Sequence, residues 1–149
     1  MPSRRPRNEN GFSLIEMISV ILVMGIVAAV VYPSFNISGI GSSTGAAIVE
    51  TDIRFVQELA MSRNPSTTGE IGITFTAGQS SYTLTDPAGM YTQTRALPDG
   101  TTITQGGTIS FNKYGEPEIG GSSIDIKISD SGTIKTITVE RYTGRVTIS

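Results

Sequence analysis

The apolar and polar positions divide the chain into an apolar N-terminal run, an amphipathic segment and a long alternating region. In residues 12–32 the only charged side chain is that of Glu16. A helix of this length, rising about 1.5 Å per residue, can cross a hydrocarbon layer of about 30 Å. We therefore expect residues 12–33 to form a transmembrane and assembly helix.

Residues 1–11 precede this run as a basic leader, with Arg4, Arg5 and Arg7 against Glu9. Positive side chains beside a membrane helix stay in the cytoplasm, which predicts an extracytoplasmic location for the chain after the helix. A secretory signal peptide is the competing interpretation. The charge inside the apolar run and the lack of a small-x-small cleavage sequence after it both disfavour that interpretation.

The amphipathic segment follows a stretch rich in glycine and serine. Residues 34–45 contain Gly39, Gly41 and Gly45, and glycine is a poor helix former, so we expect a kinked or unwound stretch there. Residues 46–63 regain the spacing of an amphipathic helix. Its apolar stripe comprises Val49, Ile53, Val56 and Ala60, and its opposite face carries Glu50, Arg54, Gln57 and Glu58.

Threonine and alternating apolar residues dominate the rest of the chain, with 17 of the 19 threonines lying from residue 67 onward. This pattern, interrupted by glycine-containing turns, is typical of antiparallel strands. The apolar face of such a sheet needs a cover, which the helix over 46–63 can supply. We therefore predict an α+β domain over residues 46–149, in which the long N-terminal helix packs on an antiparallel β-sheet. The predicted strands are 72–76, 81–85, 101–104, 108–112, 123–129, 134–141 and 145–148.

The composition limits the chemistry that the chain can perform. Cysteine and histidine are both absent, so thiolate and imidazole metal sites and the usual near-neutral proton shuttle are excluded. The sequence has neither a Ser-His-Asp set nor a phosphate-binding loop with a lysine. Its acidic residues after the helix are scattered, which disfavours a calcium site. We expect a protein that is not an enzyme, with no catalytic residue, no metal and no cofactor.

Glu16 needs an explanation, because a carboxylate inside a membrane helix costs about 2.5–3.5 kcal/mol. It either lies near the cytoplasmic interface, where water reaches it, or pairs with a cation. No lysine or arginine lies between Arg7 and Arg54 in the sequence. A pairing partner would therefore come from outside this helix.

The sequence GFSLIE at residues 11–16, followed by the apolar run, resembles the class III signal of type IV pilins and type II secretion pseudopilins. The resemblance implies that a prepilin peptidase cuts between Gly11 and Phe12. It also implies that the leader, residues 1–11, is removed and that Phe12 is N-methylated. The three leader arginines leave with it, and a new α-ammonium group forms on Phe12.

Two further positions match the same family. Glu16 corresponds to its glutamate at mature position five, which is thought to pair with the amino terminus of a neighbouring subunit during assembly. Pro33 corresponds to its helix proline. This proline either kinks the helix without functional consequence or, with the nearby glycines, lets the helix unwind as subunits pack.

Beyond the N-terminus, the chain is similar to the GspH and FimT group of minor pseudopilins and minor pilins. The similarity covers the amphipathic helix, the first strand, the stretches LPDGTTIT and TISFNKYGEP and the closing ITVERYTGRVTIS. It implies a minor, tip-proximal structural subunit that initiates a type II secretion pseudopilus or a type IV pilus. The implied partners are the prepilin peptidase, other pilins or pseudopilins, the inner membrane and the assembly platform. The implied location is the bacterial inner membrane, single-pass with a periplasmic C-terminal domain, and then the filament.

Three alternatives remain open. Some FimT-like proteins bind DNA through basic C-terminal residues, and Arg141 and Arg145 are the candidate DNA contacts in this chain. An adhesive tip subunit is the second alternative, and an unassembled membrane-anchored β domain is the third. The formal net charge of −2 disfavours nucleic acid as a partner, since phosphate binding takes several basic residues.

Overall fold

The computed structural model describes residues 12–31, 39–86 and 91–149. The chain separates into two compact units, Met1–Ile37 and Ser38–Ser149. The described part of the first unit is the helix α1 (Leu14–Val31) with the two residues before it. The described part of the second unit contains the helix α2 (Ile40–Arg63) and eight β-strands.

Helix α1 is built almost entirely from apolar residues, and its side chains from Leu14 to Ala29 are exposed. No helix in the described part of the chain combines the length and the apolar content needed to cross a bilayer. The structure thus bears out a helix in the apolar run and leaves its membrane placement as a prediction. Pro33 lies outside the described residues.

Helix α2 begins at Ile40, six residues before the predicted start, so the expectation of an unwound stretch is wrong for residues 40–45. The first turn lies against the second unit's own strands, where the Gly41 N–H donates to Asp130 Oδ2 at 3.1 Å. A Cβ at Gly41 would lie 2.6 Å from Asp130 Oδ2 and 2.8 Å from Thr101 Oγ1. Glycine therefore allows the close approach, and these tertiary contacts outweigh a propensity cost of about 1 kcal/mol per glycine. Residues 34–38 lie outside the described part of the chain.

The predicted apolar stripe of α2 is confirmed. Val49, Ile53 and Ala60 are fully buried and Val56 nearly so. On the exposed side, Arg54 Nη2 and Glu50 Oε1 form an ion pair at 2.8 Å. The helix ends at Asn64, which adopts a left-handed conformation and donates its N–H to the Ala60 carbonyl.

Within the ranges that the structure describes, eight strands follow α2, and the sequence pattern predicts seven of them. The missing prediction is β3, whose four residues are all exposed and show no alternation of apolar and polar side chains. The strands are β1 (Gly72–Phe75), β2 (Ser81–Thr85), β3 (Gln93–Ala96), β4 (Thr101–Gln105), β5 (Gly107–Ser110), β6 (Ser123–Asp130), β7 (Thr133–Glu140) and β8 (Val146–Ile148).

The strands form two antiparallel sheets, which corrects the prediction of a single sheet. Their orders are β3-β2-β1-β5 and β4-β6-β7-β8. The chain crosses from one sheet to the other at Gly106, between β4 and β5. A side chain at Gly106 would overlap the carbonyl oxygen of Phe75 in β1. Glycine allows this close approach of the two backbones. The strands on either side of it, β4 and β5, belong to different sheets and do not form a hairpin.

Helix α2 packs against strands of both sheets, chiefly β6 and β7 and also β1, β4 and β8. Its stripe joins a core of branched aliphatic side chains, so the α+β class of the second unit is confirmed. The fully buried isoleucines of this core include Ile73, Ile103, Ile109, Ile126, Ile128 and Ile137.

Candidate processing and assembly site

The N-terminal end of α1 lies two residues beyond the predicted cleavage point. Ser13 precedes the helix, and its hydroxyl oxygen accepts a hydrogen bond from the Glu16 N–H at 3.3 Å. The Ser13 carbonyl accepts from the same N–H at 3.0 Å. A serine followed three residues later by a glutamate is the spacing of a capping box. This role of Ser13 was not predicted, although the S-x-x-E spacing over residues 13–16 indicates it.

Glu16 lies in the first turn of α1, and its side chain is exposed. A carboxylate at this end of a helix interacts favourably with the unpaired N–H groups and the positive end of the helix dipole. None of the described residues donates a hydrogen bond to the Glu16 carboxylate. Phe12 lies four residues before it and is 77% exposed, whereas Gly11 lies outside the described residues. Phe12 and Glu16 are thus presented together at one helix end.

Beyond Glu16 in the first turn, the surface of α1 is almost entirely apolar. Its one hydroxyl inside the helix, on Ser19, donates to the Ile15 carbonyl at 2.8 Å and so presents no free donor. A helix that is apolar all round is normally buried in lipid or in protein. Its exposed large apolar side chains are Leu14, Ile15, Met17, Ile18, Val20, Ile21, Leu22, Val23, Met24, Ile26 and Val27.

The two arginines singled out as DNA contacts lie around the turn that joins β7 to β8. Arg145 Nη2 forms an ion pair with Glu140 Oε1 at 2.5 Å. Hydrogen bonding from Arg145, helped by the Thr143 hydroxyl, lowers the pKa of the Glu140 carboxyl. The Arg141 guanidinium lies over the ring of Tyr142, 5.7 Å from its centre. The structure therefore brings the two arginines to one region but offsets the charge of Arg145.

A buried polar cluster was missed by the sequence argument. The Tyr82 hydroxyl donates to Asp52 Oδ2 at 2.5 Å, and Arg95 Nε lies 3.3 Å from the same oxygen. Burial, with the hydrogen bond to Asp52, raises the pKa of the Tyr82 hydroxyl. Asp52 lies three residues after Val49 and four before Val56, so its position on the buried stripe was the available signal. The cluster fastens α2 to β2 and β3.

Comparison with known families identifies residues 6–32 as a prokaryotic N-terminal methylation motif. The chain carries a type IV pilin-like signal. No curated protein and no solved structure matches the chain. The matched residues include the predicted cleavage point, Glu16 and most of α1. This signal supports a pilin-like or pseudopilin-like protein and implies processing by prepilin peptidase in a pilin assembly context.

Among the described residues, no group of three or more acidic side chains could hold a metal ion. The similarity of the second unit to the GspH and FimT group rests on the sequence stretches alone and stays a prediction.

Proposed function

We propose that the protein is a minor pilin or pseudopilin, a structural subunit and not an enzyme. Prepilin peptidase cuts between Gly11 and Phe12 and methylates Phe12, and the assembly platform then adds the subunit to a pseudopilus or pilus beside other pilins. The N-terminal methylation motif over residues 6–32 carries this proposal. The resemblance of the domain to the GspH and FimT group supports a minor, tip-proximal position.

Cleavage changes the charges at the start of α1 in a way that gives Glu16 a partner. The cut removes the leader arginines and leaves one ammonium group on Phe12, close to the helix end that carries Glu16. In the filament, this ammonium pairs with Glu16 of a neighbouring subunit in apolar surroundings. Removing one partner of such a buried pair costs about 3–5 kcal/mol, so the pair fixes the axial register of the subunits. The apolar surface of α1 supplies the adhesion.

Cleavage is tested by intact-mass spectrometry after expression with a prepilin peptidase. The expected mature chain begins at monomethylated Phe12. Gly11→Leu should leave the full-length chain unprocessed, while the matched neighbour variant Asn10→Ala should be processed normally. An intact Met1 start for the unaltered chain in the presence of active peptidase would contradict the proposal.

Charge pairing is tested with Glu16→Gln, which keeps the size of the side chain and removes its charge. We expect normal cleavage, because the residues at the cut are unchanged, and a reduced amount of the protein in sheared filaments. Ser19→Ala, one turn further along α1, serves as the control and should assemble normally. Equal incorporation of Glu16→Gln and the unaltered chain would rule out the pairing.

We further propose that α1 anchors the subunit in the bacterial inner membrane, with the second unit in the periplasm. The length of the run over residues 12–32 and its apolar composition, broken by one charged side chain, support this placement. Because the chain has no cysteine, Thr147→Cys introduces a single exposed label site on β8. A membrane-impermeant maleimide should label this cysteine in cells with a permeabilised outer membrane. Labelling only after inner-membrane lysis would contradict the placement.

The DNA-binding alternative has less support from the structure. Arg145 is paired with Glu140, and further carboxylates lie near Arg141 at Glu116 and Glu118. Tight phosphate binding needs a cluster of uncompensated cations. We expect a gel-shift assay with duplex DNA to show no binding at physiological salt, and binding that Arg141→Gln abolishes would favour the alternative.

A further inference from the structure

A continuous groove crosses one surface of the second unit. Three neighbouring depressions share their lining residues, and the central one has a volume of about 570 Å³. Arg141 and Tyr142 connect the central depression to the first, while Glu118 connects it to the third, which reaches Tyr114. We call this feature the tyrosine groove and define it by Thr68, Asn112, Tyr114, Glu118, Arg141 and Tyr142.

The groove displays two aromatic rings to solvent. Tyr114 is 72% exposed and Tyr142 is 77% exposed. Each ring has a cation near it, with Lys113 Nζ 5.3 Å from the centre of Tyr114 and Arg141 Cζ 5.7 Å from that of Tyr142. Such contacts restrain the rings at little cost. Exposed tyrosines of this kind are enriched where proteins bind partners, because they combine an apolar face with a polar tip.

Two polar side chains of the groove, those of Asn112 and Glu118, are already fixed by hydrogen bonds. Asn112 Oδ1 accepts from the backbone N–H groups of Tyr114 at 2.9 Å and Glu116 at 3.0 Å. Glu118 Oε2 accepts from the Gly69 N–H at 2.9 Å. Groups held in place before binding lose less conformational entropy when a ligand arrives. The groove is therefore preorganised for a ligand that forms hydrogen bonds.

The charges of the groove argue against a polyanion. Its lining has the cations Lys113 and Arg141 but three carboxylates, those of Glu116, Glu118 and Glu140. A nucleic acid would need an excess of cations. The remaining lining is rich in hydroxyl groups, and those of the groove and its margin belong to Ser66, Thr67, Thr68, Ser122, Ser123 and Thr143.

We propose that the tyrosine groove binds a neutral oligosaccharide. A sugar ring has an apolar C–H face, which suits the tyrosine rings, and a rim of hydroxyls, which carboxylates accept from and Arg141 donates to. This binding is independent of the filament role, since the groove lies entirely within the second unit.

The test uses the full chain in zwitterionic detergent micelles, because detergents with sugar head groups would compete for the groove. Fluorescein-labelled maltohexaose, cellohexaose and chitohexaose are titrated with the protein, and fluorescence polarisation reports binding. We expect saturable binding of at least one probe. Tyr142→Ala should weaken its affinity at least about tenfold, as expected when an aromatic contact is removed.

Three further variants separate the contribution of the Tyr142 ring from that of its hydroxyl and of other tyrosines. Tyr142→Phe keeps the aromatic face and should bind within about twofold of the unaltered chain. Tyr91→Ala removes a tyrosine outside the groove and should bind normally, and Tyr114→Ala gives an independent second test of the groove. Circular dichroism checks that each variant is folded.

Three outcomes would overturn the proposal. The first is the absence of saturable binding of all three sugars by the folded chain. The second is unchanged sugar affinity in both Tyr142→Ala and Tyr114→Ala. The third is binding of a labelled DNA duplex that depends on Tyr142 while no sugar binds, which would make the groove a nucleic-acid surface.

Discussion

The same residue type has opposite surroundings in the two units of this chain. In α1, Ile18 is 51% exposed and Ile21 is 70% exposed, whereas Ile53 and Ile126 in the second unit are fully buried. The core isoleucines of the second unit pack between one helix and two sheets. The isoleucines of α1 are all exposed on a single helix. Hydrophobicity alone therefore does not determine whether an apolar segment packs into the core of its own domain or is covered by lipid or another protein.

The difference shows how the two units acquire stability. Burial of apolar side chains gives the second unit a favourable free energy of folding of its own. Helix α1 has 18 residues, only slightly above the length at which isolated helices become stable in water. Its apolar surface must instead be covered by lipid, detergent or other subunits. Mutations in the two units should accordingly differ in what they impair.

The largest predicted contrast is between two isoleucine-to-alanine changes. Ile53→Ala removes fully buried methyl groups and should lower the free energy of unfolding by about 2–5 kcal/mol. Ile21→Ala in α1 should leave the unfolding of the second unit unchanged. Urea unfolding of the full chain in detergent, followed by circular dichroism, measures both. Equal destabilisation by the two changes would remove the contrast between the units.

A second contrast compares two glycines. A methyl group at Gly106 would overlap the Phe75 carbonyl at the crossing between the sheets, so Gly106→Ala should cost about 1–3 kcal/mol. Nothing lies within 4 Å of a Cβ at Gly25 in α1, so Gly25→Ala should be tolerated. Gly120→Ala, which also meets nothing, is the control inside the second unit. If thermal unfolding shows that Gly106→Ala is as stable as the unaltered chain, the backbone at Gly106 can shift to accommodate the methyl group.

Local patterns predicted much of the fold. The buried stripe of α2 and seven strands follow from periodicity, because the neighbours that determine such elements lie nearby in the sequence. The exposed strand β3 could not be predicted, since only its pairing with β2 defines it. The early start of α2 depends on Asp130, which lies 89 residues after Gly41. Glycine propensity alone gives the wrong answer there.

The same difference between local and long-range determinants applies to the candidate sites. The predicted cleavage residues and Glu16 form one short motif whose spacing is complete within six residues, so this site is a prediction from the sequence alone. The tyrosine groove joins Thr68, Asn112 and Tyr142, which no linear pattern connects. The buried pair of Asp52 and Tyr82 likewise spans α2 and β2.

A third prediction tests the buried polar cluster, which has no counterpart in the described part of α1. Tyr82→Phe removes the hydroxyl that donates to Asp52 and should cost about 1–3 kcal/mol at neutral pH. Tyr114→Phe, at an exposed ring, should cost nothing measurable. Urea unfolding compares the two variants, and equal stability would show that the cluster contributes no net free energy.

The same cluster predicts that the folded state loses stability at alkaline pH. The pKa of Tyr82 is raised in the folded state, whereas an unfolded tyrosine titrates near pH 10. The stability from its protonated hydroxyl is therefore complete below about pH 10 and is lost as the pH rises further, because the unfolded chain then releases the proton first. Tyr82→Phe should remove this component of the alkaline slope. An unchanged slope would assign alkaline unfolding to other groups.

The smallest predicted effect concerns Glu140 and Arg145, an exposed pair whose contribution to stability should be below detection. Arg145 lowers the pKa of the Glu140 carboxyl in the folded state. Because the pKa of this carboxyl group is lowered in the folded state, any stabilisation by the pair is present at neutral pH. It disappears as the pH falls through the folded-state pKa. Arg145→Gln should raise the Glu140 pKa in a carboxyl NMR titration, while Lys127→Gln in β6 should not. If the Glu140 pKa does not change, Arg145 does not pair with Glu140 in solution. Arg145 would then be available to bind DNA phosphates.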